Sequence, residues 1–189
     1  GIHWAWVGGA VGAAATMMYT VLFVIGYNTS RITYWLDPWK DAQGKGYQLA
    51  QSLLTIGSGG LLGVGLGKSR QKFLYLPEEH NDFIFAIVCE ELGLIGATVI
   101  MLLFAALILR GFWIALHARD RFGSLMVVGI TTLVGLQTFL NIGVVTGLLP
   151  TTGISLPFFS YGGTALSIQL AEMGIVLSVS RQMKPTKAG

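Results

Sequence analysis

The chain has 189 residues, 53% of them hydrophobic and only 11% charged, against roughly 25% charged in an average soluble domain. With a mean hydropathy of +0.66, this excludes an ordinary water-soluble globule and points to a membrane protein. The net charge of +3 comes from scattered basic residues, which excludes a nucleic-acid footprint. The single cysteine, Cys89, excludes an internal disulfide or a CxxC metal or redox site.

The chain opens GIHWAW, with neither an initiator Met nor a signal peptide, and is expected to be a fragment lacking an N-terminal part. Ile2 to Tyr27 carries no charge beyond His3. At about 1.5 Å per residue it exceeds the roughly 30 Å hydrocarbon core, so it is expected to span the membrane. Trp4 and Trp6 at one end and Tyr27 at the other suit interfacial anchors. His3 reads as a solvated terminal residue.

Residues 28–82 form a long hydrophilic connection. Such loops are functional or carry helices of their own. SRITYWLDPWKD mixes aromatics with charges and suits a segment lying in the interface plane. Tyr47 to Ile56 is expected to be a short amphipathic helix, with Gln48, Gln51 and Thr55 on one face and Tyr47, Ala50 and Leu54 on another. GSGGLLGVGLGKS invites comparison with a phosphate-binding loop but fails it. The motif needs a glycine five residues before Gly67, where Leu62 stands, and no strand precedes it. It reads instead as a flexible or tightly turned glycine loop. Lys68, Arg70 and Lys72 follow; such clusters are usually solvated, and these are also candidates to hold a phosphate.

The loop closes on Leu76–Glu91, LPEEHNDFIFAIVCEE, which carries Glu78, Glu79, His80, Asp82, Glu90 and Glu91. Residues 83–109 form the second expected span. Glu90 and Glu91 interrupt its first turns, which are therefore expected to be sheltered from lipid. A basic loop, 110–121, leads to a third span over 122–149. There Gln137 and Asn141, at i and i+4, share one face, as interhelical hydrogen-bonding residues or as cavity lining. After the uncharged turn LPTTGISLP, a fourth span covers 158–179. It opens FFSYGG and holds an intramembrane carboxylate, Glu172, which is a functional suspect or a partner for Gln169. The fold class is therefore all-α and polytopic, with four transmembrane helices. Loop 110–121 and tail 180–189 are short and basic, which places both in the cytoplasm and the 28–82 loop outside.

Two blocks resemble the SEDS family (shape, elongation, division and sporulation). One is NIGVVTGLLPTTGISLPFFSYGGTA, Asn141–Ala165; the other runs from DPWKD at Asp37 to CEELG at Gly93. The SRQKFLYLPE wording is nearer the division and sporulation branch, FtsW and SpoVE, than the elongation protein RodA. The resemblance implies a single membrane domain of about ten helices, of which this chain holds the last four. It also implies polymerisation of peptidoglycan from lipid II, a class B penicillin-binding protein as partner among other cell-division membrane proteins, and a bacterial cell-membrane location. The family's essential aspartate, in its HxDFIFA block, falls on Asp82, and its arginine before the DPW block on Arg31. Asn81 stands where threonine is more usual.

The chemistry implied is attack of a sugar hydroxyl on an anomeric carbon while a polyprenyl diphosphate leaves. It needs a base near the hydroxyl and positive charge near the diphosphate. Asp82, followed by Phe83, Ile84 and Phe85, lies at the mouth of an apolar helix. Desolvation there would strengthen it as a base, whereas the helix dipole favours its anion, and aspartate is also a common helix cap. Cap and catalyst both fit the residues; the resemblance implies the catalyst. Arg31, Lys68, Arg70 and Lys72 are candidates for the diphosphate. Glu78 and His80 are candidates for substrate contact, and Ser160, in the SYGG turn, for shaping the cavity. His80 among carboxylates also permits a divalent cation, Mg or Mn, without a ligand spacing that commits to one. Two further function classes fit the composition: a lipid II flippase using Gln137, Asn141 and Glu172, and a non-catalytic scaffold for the penicillin-binding protein.

Overall fold

The computed structural model describes residues 9, 12, 16, 29–44, 46–68, 82–159 and 162–183. The first expected span, 2–27, lies almost wholly outside them. Among the described residues every regular element is a helix: α1 (Thr29–Leu36), a short 3-10 helix (Pro38–Asp41), α2 (Tyr47–Gly59), α3 (Ile84–Leu116), α4 (Arg121–Val145) and α5 (Gly163–Arg181). The chain divides into two compact units, 1–47 and 48–189. In the first, the segment expected to lie in the interface plane is helical in two pieces, α1 and the 3-10 turn. Pro38 starts the 3-10 turn, where its missing N–H costs nothing.

The second unit holds α3, α4 and α5, each long and apolar enough to cross a membrane. Leucines, isoleucines and valines cover all sides of α3, and many of them, such as Leu94, Leu102 and Leu109, remain exposed. That pattern suits a lipid solvent rather than water. The chain is a multi-pass membrane protein.

α3 extends seven residues past the expected boundary of 109, to Leu116. Side chains one turn apart support the extra length. The Arg110 guanidinium lies 4.2 Å from the centre of the Trp113 ring, and Trp113 stacks on His117 at 4.4 Å. Arg110 is therefore a helix residue, and the connection contracts to 117–120. There Asp120 caps α4, its Oδ2 accepting from the Gly123 amide at 2.8 Å. Ser124 Oγ donates to the Ala115 carbonyl at 2.7 Å and closes the end of α3. The two helices then run close together. A Cβ at Gly111 would overlap the Thr131 side chain, so only glycine permits that spacing.

α4 ends at Val145, four residues short of the expected boundary, with Gly147 in the left-handed region at φ +77°. The fourth span starts at Gly163 instead of Phe158. Pro157–Phe159 forms a turn whose Phe158 adopts φ +66°. This costs a non-glycine residue about 1–2 kcal/mol, and the strained amide is held by Gln169, whose Oε1 accepts from it at 2.8 Å. Phe104 of α3 packs against Phe158 and Phe159, with ring centres 6.4 and 6.1 Å away.

α2 runs three residues beyond the expected Ile56, and its buried side takes residues from both expected faces: Leu49, Ala50, Ser52, Thr55 and Gly59 are inside while Leu54 is 48% exposed. The small residues among them sit where the neighbouring backbone comes close. Ser52 Oγ donates to the Val145 carbonyl at 2.8 Å, one of the acceptors left open at the end of α4. A Cβ at Gly59 would overlap the Cys89 carbonyl.

Candidate functional site

Asp82 sits two residues before the first residue of α3. The cap position falls on Phe83, whose side chain offers no hydrogen bond. The Phe83 carbonyl instead accepts from the Ala86 amide at 3.0 Å. Phe83 and Phe85 are both buried, 3% and 2% exposed, and root the turn in an apolar cluster with Ala86, Cys89, Val144, Val145 and Leu156. The turn carrying the carboxylate is thus anchored from below by aromatic burial.

A second anchor is polar. Asn141 of α4 is fully buried. Its Nδ2 donates to the Asp82 carbonyl at 2.7 Å and to the Ile154 carbonyl at 2.8 Å. One amide group therefore ties three segments together: the Asp82 turn, α4 and the loop 148–157. Its Oδ1 has no hydrogen-bond partner among the described residues. The loop's Gly153, at φ +70°, faces the aspartate, and a Cβ built on it would lie 3.4 Å from Asp82 Oδ2. The carboxylate is half-buried, with an apolar floor and a glycine wall. Such a group can accept a proton from a hydroxyl brought to its open side.

Farther along α3 the helix breaks. Gly93 takes φ 67° and ψ −172°, a conformation essentially confined to glycine. The break frees backbone groups, and the glycine-rich loop takes them up. Val64 and Gly65 amides donate to the Glu90 and Glu91 carbonyls at 2.9 and 3.0 Å. Leu94 and Ile95 amides donate to the Gly60 and Leu61 carbonyls at 2.9 and 3.3 Å. Gly60, Gly63 and Gly65 all have positive φ, and Gly63 and Gly93 pass too close for any Cβ. The glycine loop is therefore tightly turned, and its role is to pair with a broken membrane helix. Glu90 is 2% exposed beneath it, as expected of a sheltered carboxylate.

A family model described as "Cell cycle protein", FtsW/RodA/SpoVE, matches residues 1–185. The chain belongs to this family. It is 57% identical over 155 residues to stage V sporulation protein E of Bacillus subtilis (strain 168), covering 82% of this chain and 42% of that protein. It is 49% identical over 178 residues to the probable peptidoglycan glycosyltransferase FtsW of Geobacter metallireducens, covering 94% of this chain and 48% of that one. The chain thus spans a little under half the length of the curated relatives it matches. Among solved structures, it matches one described as "Structural coordination of polymerization and crosslinking by a peptidoglycan synthase complex". The TM-score is 0.70 at 30% identity, covering 96% of this chain and 51% of that one. A crystal structure of a mutant of the Thermus thermophilus rod shape determining protein RodA matches with TM-score 0.55 at 36% identity, over 72% of this chain and 41% of that one.

Within this FtsW/RodA/SpoVE chain the expected site residues divide. Asp82 is placed as above. Lys68 is exposed at the end of the glycine loop, its amide donating to the Gly65 carbonyl at 3.1 Å. Arg31 belongs to α1, in the other compact unit. Arg70, Lys72, Glu78, Glu79, His80 and Ser160 lie outside the described residues. Among the described residues no group of three His, Cys, Asp or Glu side chains is placed to hold a metal ion. Asn141 acts in the structure as a hydrogen-bonding residue, as its spacing with Gln137 allowed. That it grips Asp82 was not visible, since its partners are main-chain carbonyls 59 and 13 residues away. The sequence signals were a glycine in the LPTTGISLP turn for Gly153 and a lone glycine inside an otherwise helical pattern for Gly93.

Proposed function

We propose that the protein of which this chain is part is a peptidoglycan glycosyltransferase that polymerises lipid II, with Asp82 as its base. The observation that carries this reading is the Asp82 carboxylate at the mouth of a membrane helix, on a turn whose main chain Asn141 anchors and faced by Gly153. Its similarity to probable peptidoglycan glycosyltransferases of the FtsW type and the likeness to a peptidoglycan synthase complex support it.

In the proposed reaction, a sugar hydroxyl of one lipid II molecule or chain attacks the anomeric carbon of another. A new C–O bond forms, and the C–O bond to the diphosphate breaks, its electron pair leaving with the polyprenyl diphosphate. The hydroxyl proton passes to Asp82. A single displacement at the anomeric carbon inverts its configuration, and one carboxylate suffices because a diphosphate leaves without protonation. Lys68 supplies positive charge that offsets the developing diphosphate, and Arg31, Arg70 and Lys72 are the further candidates from the sequence. In this reading the 28–82 loop and Asp82 face the outside of the bacterial cell membrane, where the sugar of lipid II is displayed. The 117–120 turn and the C-terminus are cytoplasmic. A class B penicillin-binding protein cross-links the strands that the polymerase makes.

The test uses the full-length protein purified with its penicillin-binding partner, with cross-linking blocked by a β-lactam. Labelled lipid II is expected to be converted to long glycan strands. If strands do not form but lipid II crosses vesicle bilayers when the protein is present, the polymerase reading gives way to a flippase.

A further inference from the structure

At the other end of the second unit, α3, α4 and α5 diverge around a cavity of about 230 Å³. Its walls are apolar or small, with Gly111 and Ile114 from α3, Thr131 and Val134 from α4, and Val176 from α5. One charged side chain borders it, Arg110. We propose that this cavity is a binding site for an anionic glycerophospholipid, with part of an acyl chain between the three helices and the phosphodiester on Arg110.

The wall chemistry favours a lipid chain, since Thr131 supplies the one hydroxyl among these residues and a hydrocarbon needs none.

Charge selects the headgroup. Arg110 lies six residues before the end of α3, about 9 Å along the axis, within snorkelling reach of the phosphate layer. Its guanidinium, 4.2 Å from the Trp113 ring centre, is oriented by that ring. A cation–π contact leaves the positive charge in place and the N–H edge of the fork free to pair with a phosphate. Trp113 in turn stacks on His117, which fixes the ring. Asp120, the carboxylate of the nearby turn, is engaged in capping α4. The site is separate from the Asp82 turn, and the proposal does not depend on the polymerase reading.

The test uses the full-length protein, delipidated in detergent and offered equal amounts of dioleoyl phosphatidylglycerol and dioleoyl phosphatidylcholine, with retention read by native mass spectrometry. We expect at least fivefold preference for phosphatidylglycerol, reduced to parity in Arg110→Gln and kept in Arg110→Lys. Excess inorganic phosphate is expected not to displace the lipid, because the chain supplies the rest of the binding. A photoreactive acyl-chain phosphatidylglycerol, which needs no variant, should label residues 107–114, 131–134 and 173–177. Equal retention of the two lipids by wild type, an unchanged preference in Arg110→Gln, or labelling confined to other helices would overturn the proposal. The last result would mean that the remainder of the full-length chain closes the cavity.

Discussion

Replacing Asn141 by leucine keeps roughly the same volume and removes both hydrogen bonds that tie the Asp82 turn to the 148–157 loop. Two carbonyls, on Asp82 and Ile154, then lose a donor that now reaches them at 2.7 and 2.8 Å. A part-buried carbonyl that loses its donor costs up to about 1–3 kcal/mol. The substitution also removes Asn141 Oδ1, itself buried without a partner among the described residues, which returns part of that cost. The net destabilisation of the junction is about 1–4 kcal/mol, or a roughly 5- to 700-fold rise in local opening. Hydrogen exchange measures that opening directly. In the full-length protein, amides of residues 83–86 and 154–156 should exchange faster by this factor, while those in the middle of α4 stay protected. The polymerisation rate should fall with them, since the aspartate no longer has a fixed backbone. If residues 83–86 keep wild-type protection in Asn141→Leu, Asn141 does not anchor the Asp82 turn and the reasoning fails.

Gly93→Ala would force a side chain into a glycine-only conformation, against the backbone of Leu61 and Gly63. The strain and the loss of loop pairing together should cost about 3 kcal/mol or more, seen as a lower unfolding temperature in detergent. An unchanged temperature would count against the paired-break description. Gly153→Ala meets a backbone cost of about 1–2 kcal/mol at φ +70° and puts a methyl group beside the Asp82 carboxylate. Strand synthesis should slow by more than the stability loss explains, with lipid II affinity kept; a normal rate would show that Gly153 does not border the reacting group. Asp120→Ala removes the cap on Gly123 and should cost about 1 kcal/mol. Its polymerisation rate below the unfolding temperature should match wild type, and a large loss of activity would place the 117–120 turn in the reaction.

The membrane class and the helical fold were legible because apolar runs of this length have few other solutions. The helix ends were less so. Hydropathy falls at Arg110, but the helix continues because Trp113 and His117 stack one turn apart and hold the charge against a ring. The expected start of α5 differs from the observed one because Phe158 and Phe159 are apolar yet lie in a turn, fixed by one hydrogen bond from the Phe158 amide to Gln169, eleven residues onward. The two faces read for α2 did not say which would be buried: Ala50 comes inside from one and Thr55 from the other, with Ser52 and Gly59 beside them because Ser52 finds an open carbonyl and Gly59 admits a backbone. At the site, Asp82 was prominent in a dense acidic block and in a family motif. The roles of Asn141, Gly153 and Gly93 were not legible, although all three lie in the family-like blocks: Asn141 and Gly93 act on main-chain groups, which leave no mark in residue identity, and Gly153 acts through the Cβ it lacks beside the Asp82 carboxylate.

The central claim is that the Asp82 carboxylate takes the proton of the attacking hydroxyl. The most direct measurement is strand synthesis from lipid II by the full-length Asp82→Asn protein with its partner, alongside lipid II binding and unfolding temperature. The substitution preserves shape, and the main-chain bond to Asn141 can persist. The account predicts loss of at least a hundredfold in rate, as removal of a general base entails, with folding, partner association and lipid II binding intact. Synthesis at near wild-type rate by Asp82→Asn would contradict it and reduce Asp82 to a structural turn residue.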